Sequence, residues 1–278
     1  MAIAKDIKQK HTEMFYPSVR VRTRKSGGSG TVVYSKKIDG EVHTYVMTNH
    51  HVISESISVT KKWNPIQKRK VDTESLDTVF VEVFKYNNYS NCIGSFAVEA
   101  DIVAYSEVEG GQDWALLRVR DTETVFDHVA DLFPADDIRN VHIFDKVFAV
   151  GASLGHPPIA TEGHISYMDD EIDHYKYWMS SAQTIFGNSG GAIYRWSDGR
   201  KKYEFIGIPS RISVQPMGFS SDAITHMGYF IPITRVYQLL DDNFYHFIYQ
   251  KDVTYNDCMK LRDKLKNPAA MDKDEDEE

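Results

Sequence analysis

The chain has 278 residues, 42% hydrophobic and 26% charged, enough for a sizeable core in one large or two small domains. Its net charge is −8, but the last seven residues, DKDEDEE, hold six acids and one lysine, so −5 sits there and −3 on everything else. Phosphate binding needs a basic surface, so this balance argues against an obligatory nucleic-acid partner.

Residues 1–17 form an N-terminal segment that starts MAIAKDIKQKHTEMF. It has no apolar stretch of the kind a signal peptide needs, so a cytoplasmic location is expected, with a virion or other particle as the alternative. Short alternating runs follow. SVRVRT (18–23), GTVVYS (30–35), TYVMTNHHV (44–52), TVFVEVFKY (78–86), FAVEADIVAY (96–105) and WALLRVR (114–120) are rich in β-branched and aromatic residues and read as strands. A break over 121–144 contains FDHVADLFPADDIRN, expected as a short helix and loop. A second set then runs KVFAVGAS (146–153), GHISYM (163–168), YKYWMSSA (175–182), GAIYRW (191–196), YEFIGI (203–208) and GYFIPI (228–233). Two groups of this kind predict an all-β chain of two six-stranded antiparallel β-barrels, one over 18–135 and one over 136–233.

Residues 234–268 are expected to be a C-terminal helical segment. In TRVYQLLDDNFYHFIYQK, Val236, Leu239, Leu240, Phe247 and Ile248 share one face at helical spacing, and Thr234 is placed to cap the start. A second short helix is expected over NDCMKLRDKLK. Residues 269–278 are expected to be a disordered, solubilising acidic tail. No run reaches the roughly 18 apolar residues of a membrane span. Cys92 and Cys258 stand far apart and fit no metal-ligand spacing or disulfide framework, so secretion is not implied.

Three positions carry chemistry. TIFGNSGGAIY places Ser189 in a bare, glycine-rich turn between two apolar runs. TNHHVI puts His50 and His51 at a strand end, and GGQDWALLRV puts Asp113 after a Gly-Gly turn and before an apolar strand. A serine hydroxyl is a poor nucleophile at neutral pH. A histidine that takes its proton, held by an aspartate, makes it a good one.

Together these stretches resemble the trypsin-like (chymotrypsin-fold) serine proteases, in particular the HtrA-type and glutamyl-endopeptidase-like branch. GSGTVVY, TNHHV, DWALLRV, VGASLGHPPIATEGHIS, GNSGG, FIGI and GYFIPI are similar to that branch's motifs and stand in its order over residues 18–240. The resemblance implies His51 rather than His50 as the base, Asp113 as its partner and Ser189 as the nucleophile. It also implies an oxyanion hole at 187–189 (Gly187, Asn188, Ser189), formed by the N–H groups of Gly187 and Ser189. Secreted trypsins carry an aspartate where this chain has Asn188. A neutral side chain cannot pair with a new N-terminal amine, so no activation by N-terminal processing is expected.

By the same pattern the primary specificity pocket is lined by Gln183, Thr184, Ile208, Pro209, Ser210 and Arg211. Relatives selective for glutamate follow the Ile-Gly-Ile strand with a histidine, where this chain has Pro209. Acidic selectivity would therefore need His226 or Arg211, and a small or medium apolar residue is the expected preference. A polypeptide substrate is implied, with no cofactor and no metal; His156, His164 and His174 near Asp169, Asp170 and Asp173 match no zinc spacing. An insertion is expected between about Lys61 and Ala104, with KKWNPIQKRK as a solvated loop or an acid-binding patch, and the acidic tail as a candidate occupant of the substrate groove. A PDZ domain after the second barrel is not expected, and no feature sets an oligomeric state. The competing reading is a catalytically silent or trigger-dependent relative that keeps the fold as a binding module.

Overall fold

The computed structural model of the protein describes residues 4–65, 68–106, 112–217 and 220–266. An N-terminal helix, α1 (Lys5–Lys10), runs into a wider helical turn, His11–Phe15. The first barrel follows with β1 (Ser18–Arg22), β2 (Gly27–Ile38) and β3 (Glu41–Thr48). After β3 come a helical turn, α2 (His50–Ile53), and an added hairpin of β4 (Ile57–Asn64) and β5 (Arg69–Leu76). The barrel then resumes with β6 (Val79–Asn87), β7 (Asn91–Tyr105) and β8 (Ala115–Val119). It closes in the order β1-β2-β3-β8-β7-β6, while β4 and β5 pair only with each other.

The second barrel contains β9 (Lys146–Gly151), β10 (Ile159–Ile172), β11 (Tyr175–Ser180), β12 (Ala192–Ser197), β13 (Lys202–Met217) and β14 (Ser220–Pro232). It closes in the order β10-β11-β14-β13-β12-β9. Helices α3 (Ile233–Asp242) and α4 (Tyr255–Lys266) end the described chain. None of the described helices is long and apolar enough to cross a membrane.

Why these segments close into barrels is visible in their alternation. On β3, Val46 points into the first barrel, whereas Tyr45 and Met47 point out of it. On β8, Ala115, Leu117 and Val119 point in and Leu116 points out. The second barrel repeats the pattern: Val147 and Ala149 face its interior, and Phe148 and Val150 the other way. The outward residues are also buried, because they fill a third cluster between the barrels together with Val236, Leu240 and Phe247 from the C-terminal segment. Strands buried on both faces need apolar residues at every position, which is why ALL, FAV and AIY run without a polar break.

Several expectations shift. The run 44–52 is not all strand: β3 stops at Thr48 and both histidines lie in α2. The insertion is the hairpin Ile57–Leu76, while β6 and β7 belong to the barrel. KKWNPIQKRK is the far end of that hairpin, with 66–67 outside the described residues. Helix α3 begins at Ile233 after Pro232, so Thr234 is not its cap. The helix also stops short of Phe247, because Phe244 takes a left-handed φ of 57° and the chain continues as a tight turn at His246–Ile248. The helix over Tyr255–Lys266 is present. The acidic tail lies outside the described residues.

Candidate active site

The three residues singled out by sequence come from both barrels. His51 stands in α2, just after β3, and Asp113 lies two residues before the start of β8. Ser189 lies in the turn between β11 and β12 of the second barrel. The buried Trp114 side chain anchors the Asp113 segment, and the Trp114 backbone N–H donates to Ser106 Oγ at 3.0 Å.

His51 Nδ1 lies 2.6 Å from Asp113 Oδ2, and the His51 backbone N–H donates to Oδ1 at 2.9 Å. Ser210 Oγ also donates to Oδ2, at 2.8 Å. Burial pushes the Asp113 carboxyl up, but the bonds from the His51 ring, the His51 N–H and Ser210 outweigh it and hold the group below its ordinary value. An ionised Asp113 takes the Nδ1 proton as a hydrogen bond and leaves Nε2 as the accepting nitrogen. The His51 side chain is 51% exposed, against 16% for Asp113. His50 differs: it is buried, stacks on Tyr105 at 5.3 Å, and burial lowers its basicity.

The Ser189 turn is held by its own backbone. Asn188 N–H donates to Ile185 O at 3.0 Å, Gly190 N–H to Pro209 O at 3.1 Å, and Gly191 N–H to Asn188 O at 2.9 Å. Leu154 N–H donates to Phe186 O at 3.1 Å. A trans peptide sends its carbonyl and N–H to opposite sides, so the Gly187 N–H faces away from Leu154. Among the described residues, the N–H groups of Gly187 and Ser189 reach no protein acceptor. Gly187 has φ +95°, and a Cβ there would sit 2.7 Å from Leu154 N, so this position needs glycine on two counts. The Asn188 N–H is committed to Ile185 and faces no oxyanion; its side chain is buried.

A cavity of about 270 Å³ brings together His51, Ser189, Thr184, Pro209, Ser210 and Arg211, with Ile185, Phe186 and Ile212 completing it. Two predicted pocket residues do not line it. Gln183 is exposed, with its carbonyl taken by Thr161 Oγ1, and Ile208 is fully buried in the cluster between the barrels. A bulge on β13 at Ile206, opposite Ile193 and Tyr194, breaks the alternation, so Ile208 joins the cluster between the barrels and not the barrel interior with Ile206. Arg211 stacks over the Tyr177 ring and pairs with Asp173 at 2.7 Å. His226 is exposed and lies outside the cavity. The acidic residues near the three histidines have other partners: Asp169 takes Trp178 Nε1 and Asp170 takes Tyr229 OH.

Ser29 was not singled out by sequence. Its hydroxyl donates to Gly187 O at 2.6 Å and accepts from Ala152 N–H at 2.7 Å, and its N–H donates to Ser189 O at 2.8 Å. Its only sequence signal was its place in GSGTVVY, where glycines on both sides let the strand approach the turn. Ser210 was read as a pocket wall, and its bond to Asp113 was not foreseen.

Two closed barrels with a histidine, an aspartate and a serine gathered at their junction define the chymotrypsin-like class of fold. The trypsin-like peptidase domain model matches residues 28–208, and the chain belongs to that family of serine proteases. Among solved structures, it is similar to the HtrA-type protease AlgW with tripeptide, at 18% identity and a TM-score of 0.57 over 85% of this chain and 62% of that one. It is also similar to the serine endoprotease from Yersinia pestis, at 19% identity and a TM-score of 0.55 over 87% of this chain and 68% of that one. The chain thus spans less than two thirds of the AlgW chain, and at these identities the likeness concerns the fold. No curated protein matches it.

Proposed function

We propose that the protein is a serine endopeptidase with Ser189 as nucleophile, His51 as general base and acid, and Asp113 as the group that orients and stabilises the imidazole. The observation that carries this reading is the 2.6 Å bond from His51 to an Asp113 carboxylate that already accepts two other donors. Ser189 Oγ attacks the scissile carbonyl and its proton passes to His51 Nε2. The imidazolium returns that proton to the leaving amine, and water then hydrolyses the acyl-enzyme by the same route. The free N–H groups of Gly187 and Ser189 suit an oxyanion hole, whose loss typically costs about 10²–10³ in turnover. The cavity wall of Thr184, Ile185, Pro209 and Ile212 favours a small or medium apolar side chain before the scissile bond. Arg211, already paired with Asp173, offers little to an acidic one.

A trigger-dependent or silent form is the second reading. It draws on one observation: among the described residues no hydrogen bond joins Ser189 Oγ to His51. Such bonds commonly tighten only when substrate is bound, so the active reading stands first. Labelling by a fluorophosphonate probe tests both. The protease reading expects labelling that is lost in Ser189→Ala and in His51→Ala. A well-folded wild type that takes no label would favour the second reading.

A further inference from the structure

A second depression, of about 460 Å³, opens on the other side of the Ser189 turn. Arg20 and Arg22 of β1, Gly27 and Gly28 of β2, and Leu154 and Gly187 line it. It shares Phe186 alone with the cavity that holds His51 and Ser189, so the two meet at Phe186. Gly28 ties it closely to the reacting groups: a Cβ there would sit 2.6 Å from Val52 Cγ2 and 3.0 Å from Ser189 O. Ser26 Oγ donates to Val52 O at 2.8 Å, beside His51. The depression therefore borders the site at Gly187 and Phe186, beside the cavity that holds Thr184 and Pro209.

Its charge is unbalanced. Arg20 Nε donates to Glu82 Oε2 at 2.7 Å, and Arg20 also holds the Gly155 carbonyl. The same Glu82 accepts Ser95 Oγ at 2.6 Å and is reached by Arg22 Nε only at 3.5 Å. One carboxylate therefore serves two guanidinium groups, and Arg20 has the closer claim. Arg22 is 49% exposed and keeps most of its donor fork free. Arg24 and Lys25, next along the chain, make no ion pair among the described residues. Leu154 and Phe186 add exposed apolar walls.

We propose that this depression receives the leaving-group side of the substrate and selects a carboxylate there. An Asp or Glu in the first positions after the scissile bond would be held by the Arg22 guanidinium. A guanidinium fork matches a carboxylate bidentately, and Arg20, by engaging Glu82, leaves the Arg22 fork to meet it. The proposal rests on the protease reading above.

The test compares pairs of peptides that are identical up to the scissile bond and carry Glu or Gln in the positions after it. The kcat/KM ratio of Glu to Gln should be on the order of fivefold in the wild type, the scale of a half-exposed ion pair. It should shrink toward one in about 0.5 M salt. In Arg22→Ala the ratio should fall near one, and in Arg22→Glu below one. Each ratio is internal to one variant, so a general loss of activity does not disturb it. A wild-type ratio at or below one, or a ratio unchanged by Arg22→Ala, overturns the proposal. A fluorophosphonate-labelled enzyme with no preference would sink the subsite and spare the protease. If the wild type neither labels nor cleaves, the protease reading falls, and fluorescence anisotropy of the same peptides on Ser189→Ala still decides the subsite. Tighter binding of the Glu peptide that disappears on adding Arg22→Ala supports it, and equal binding overturns it.

Discussion

Asp113 is the residue on which the site turns. Its carboxylate accepts two N–H groups from His51 and one hydroxyl from Ser210. Its carbonyl is held by Asn49 Nδ2 at 2.5 Å. Asp113→Asn keeps the size of the group but presents an amide that stabilises the wrong tautomer of His51. Turnover should fall by about 10⁴ with the fold intact, checked by peptide hydrolysis beside circular dichroism. Ser210→Ala tests the third donor. The folded carboxyl lies below the usual carboxylate value near 3.9, so its interactions add stability above that pH and lose it as pH falls through the folded value. Removing Ser210 narrows the gap. The variant should lose about 1.5 kcal/mol at pH 7, the lower end for a bond to a charged group. The difference should vanish at a pH below both values, as read from urea unfolding at the two pH values.

At the scale of elements, what was legible followed from burial. Strands with two covered faces, such as β8, β9 and β12, announce themselves by unbroken apolar runs. The Ser189 turn announces itself by glycines that a backbone at φ +95° and +83° requires. The hairpin of β4 and β5 was hidden because most of its residues are exposed on both faces, so its sequence carries no alternation to read. Ser29 and Ser210 were hidden for another reason: their roles are long-range hydrogen bonds, and sequence spacing does not report these. The N-terminal segment is a third case. Read only as an N-terminal segment, it straps the two barrels together. Glu13 accepts the Tyr203 N–H at 2.8 Å, Gln9 donates to Lys201 O at 2.7 Å, and His11 meets Ser90 Oγ at 2.8 Å on the first barrel. Met14 is buried in the cluster between the barrels. Met14→Ala should therefore cost about 3 kcal/mol, the middle of the range for emptying a core site, seen as a lower urea midpoint at unchanged slope.

For the whole molecule, the two barrels are useful only in one relative position, since His51 and Asp113 ride on the first and Ser189 on the second. Ser29 couples that position to the shape of the Ser189 turn. It belongs to β2 of the first barrel, and Thr48 Oγ1 fixes its carbonyl at 2.7 Å. Its hydroxyl and N–H then hold Gly187, Ala152 and Ser189 of the second barrel. Ser29→Ala would leave the half-buried Gly187 carbonyl and the buried Ala152 N–H without this partner, at about 1–3 kcal/mol for the buried group. Gly187 carries one of the two free N–H groups, so a turn released from Ser29 loses definition where the oxyanion would form. The expected result is a fall in kcat of tenfold or more with KM little changed, because transition-state contacts are lost and ground-state contacts with Thr184 and Pro209 are kept. Steady-state kinetics on one peptide, with labelling rates beside them, separates this from simple loosening of the barrels. If KM rose and kcat held, Ser29 would be joining the barrels without shaping the turn.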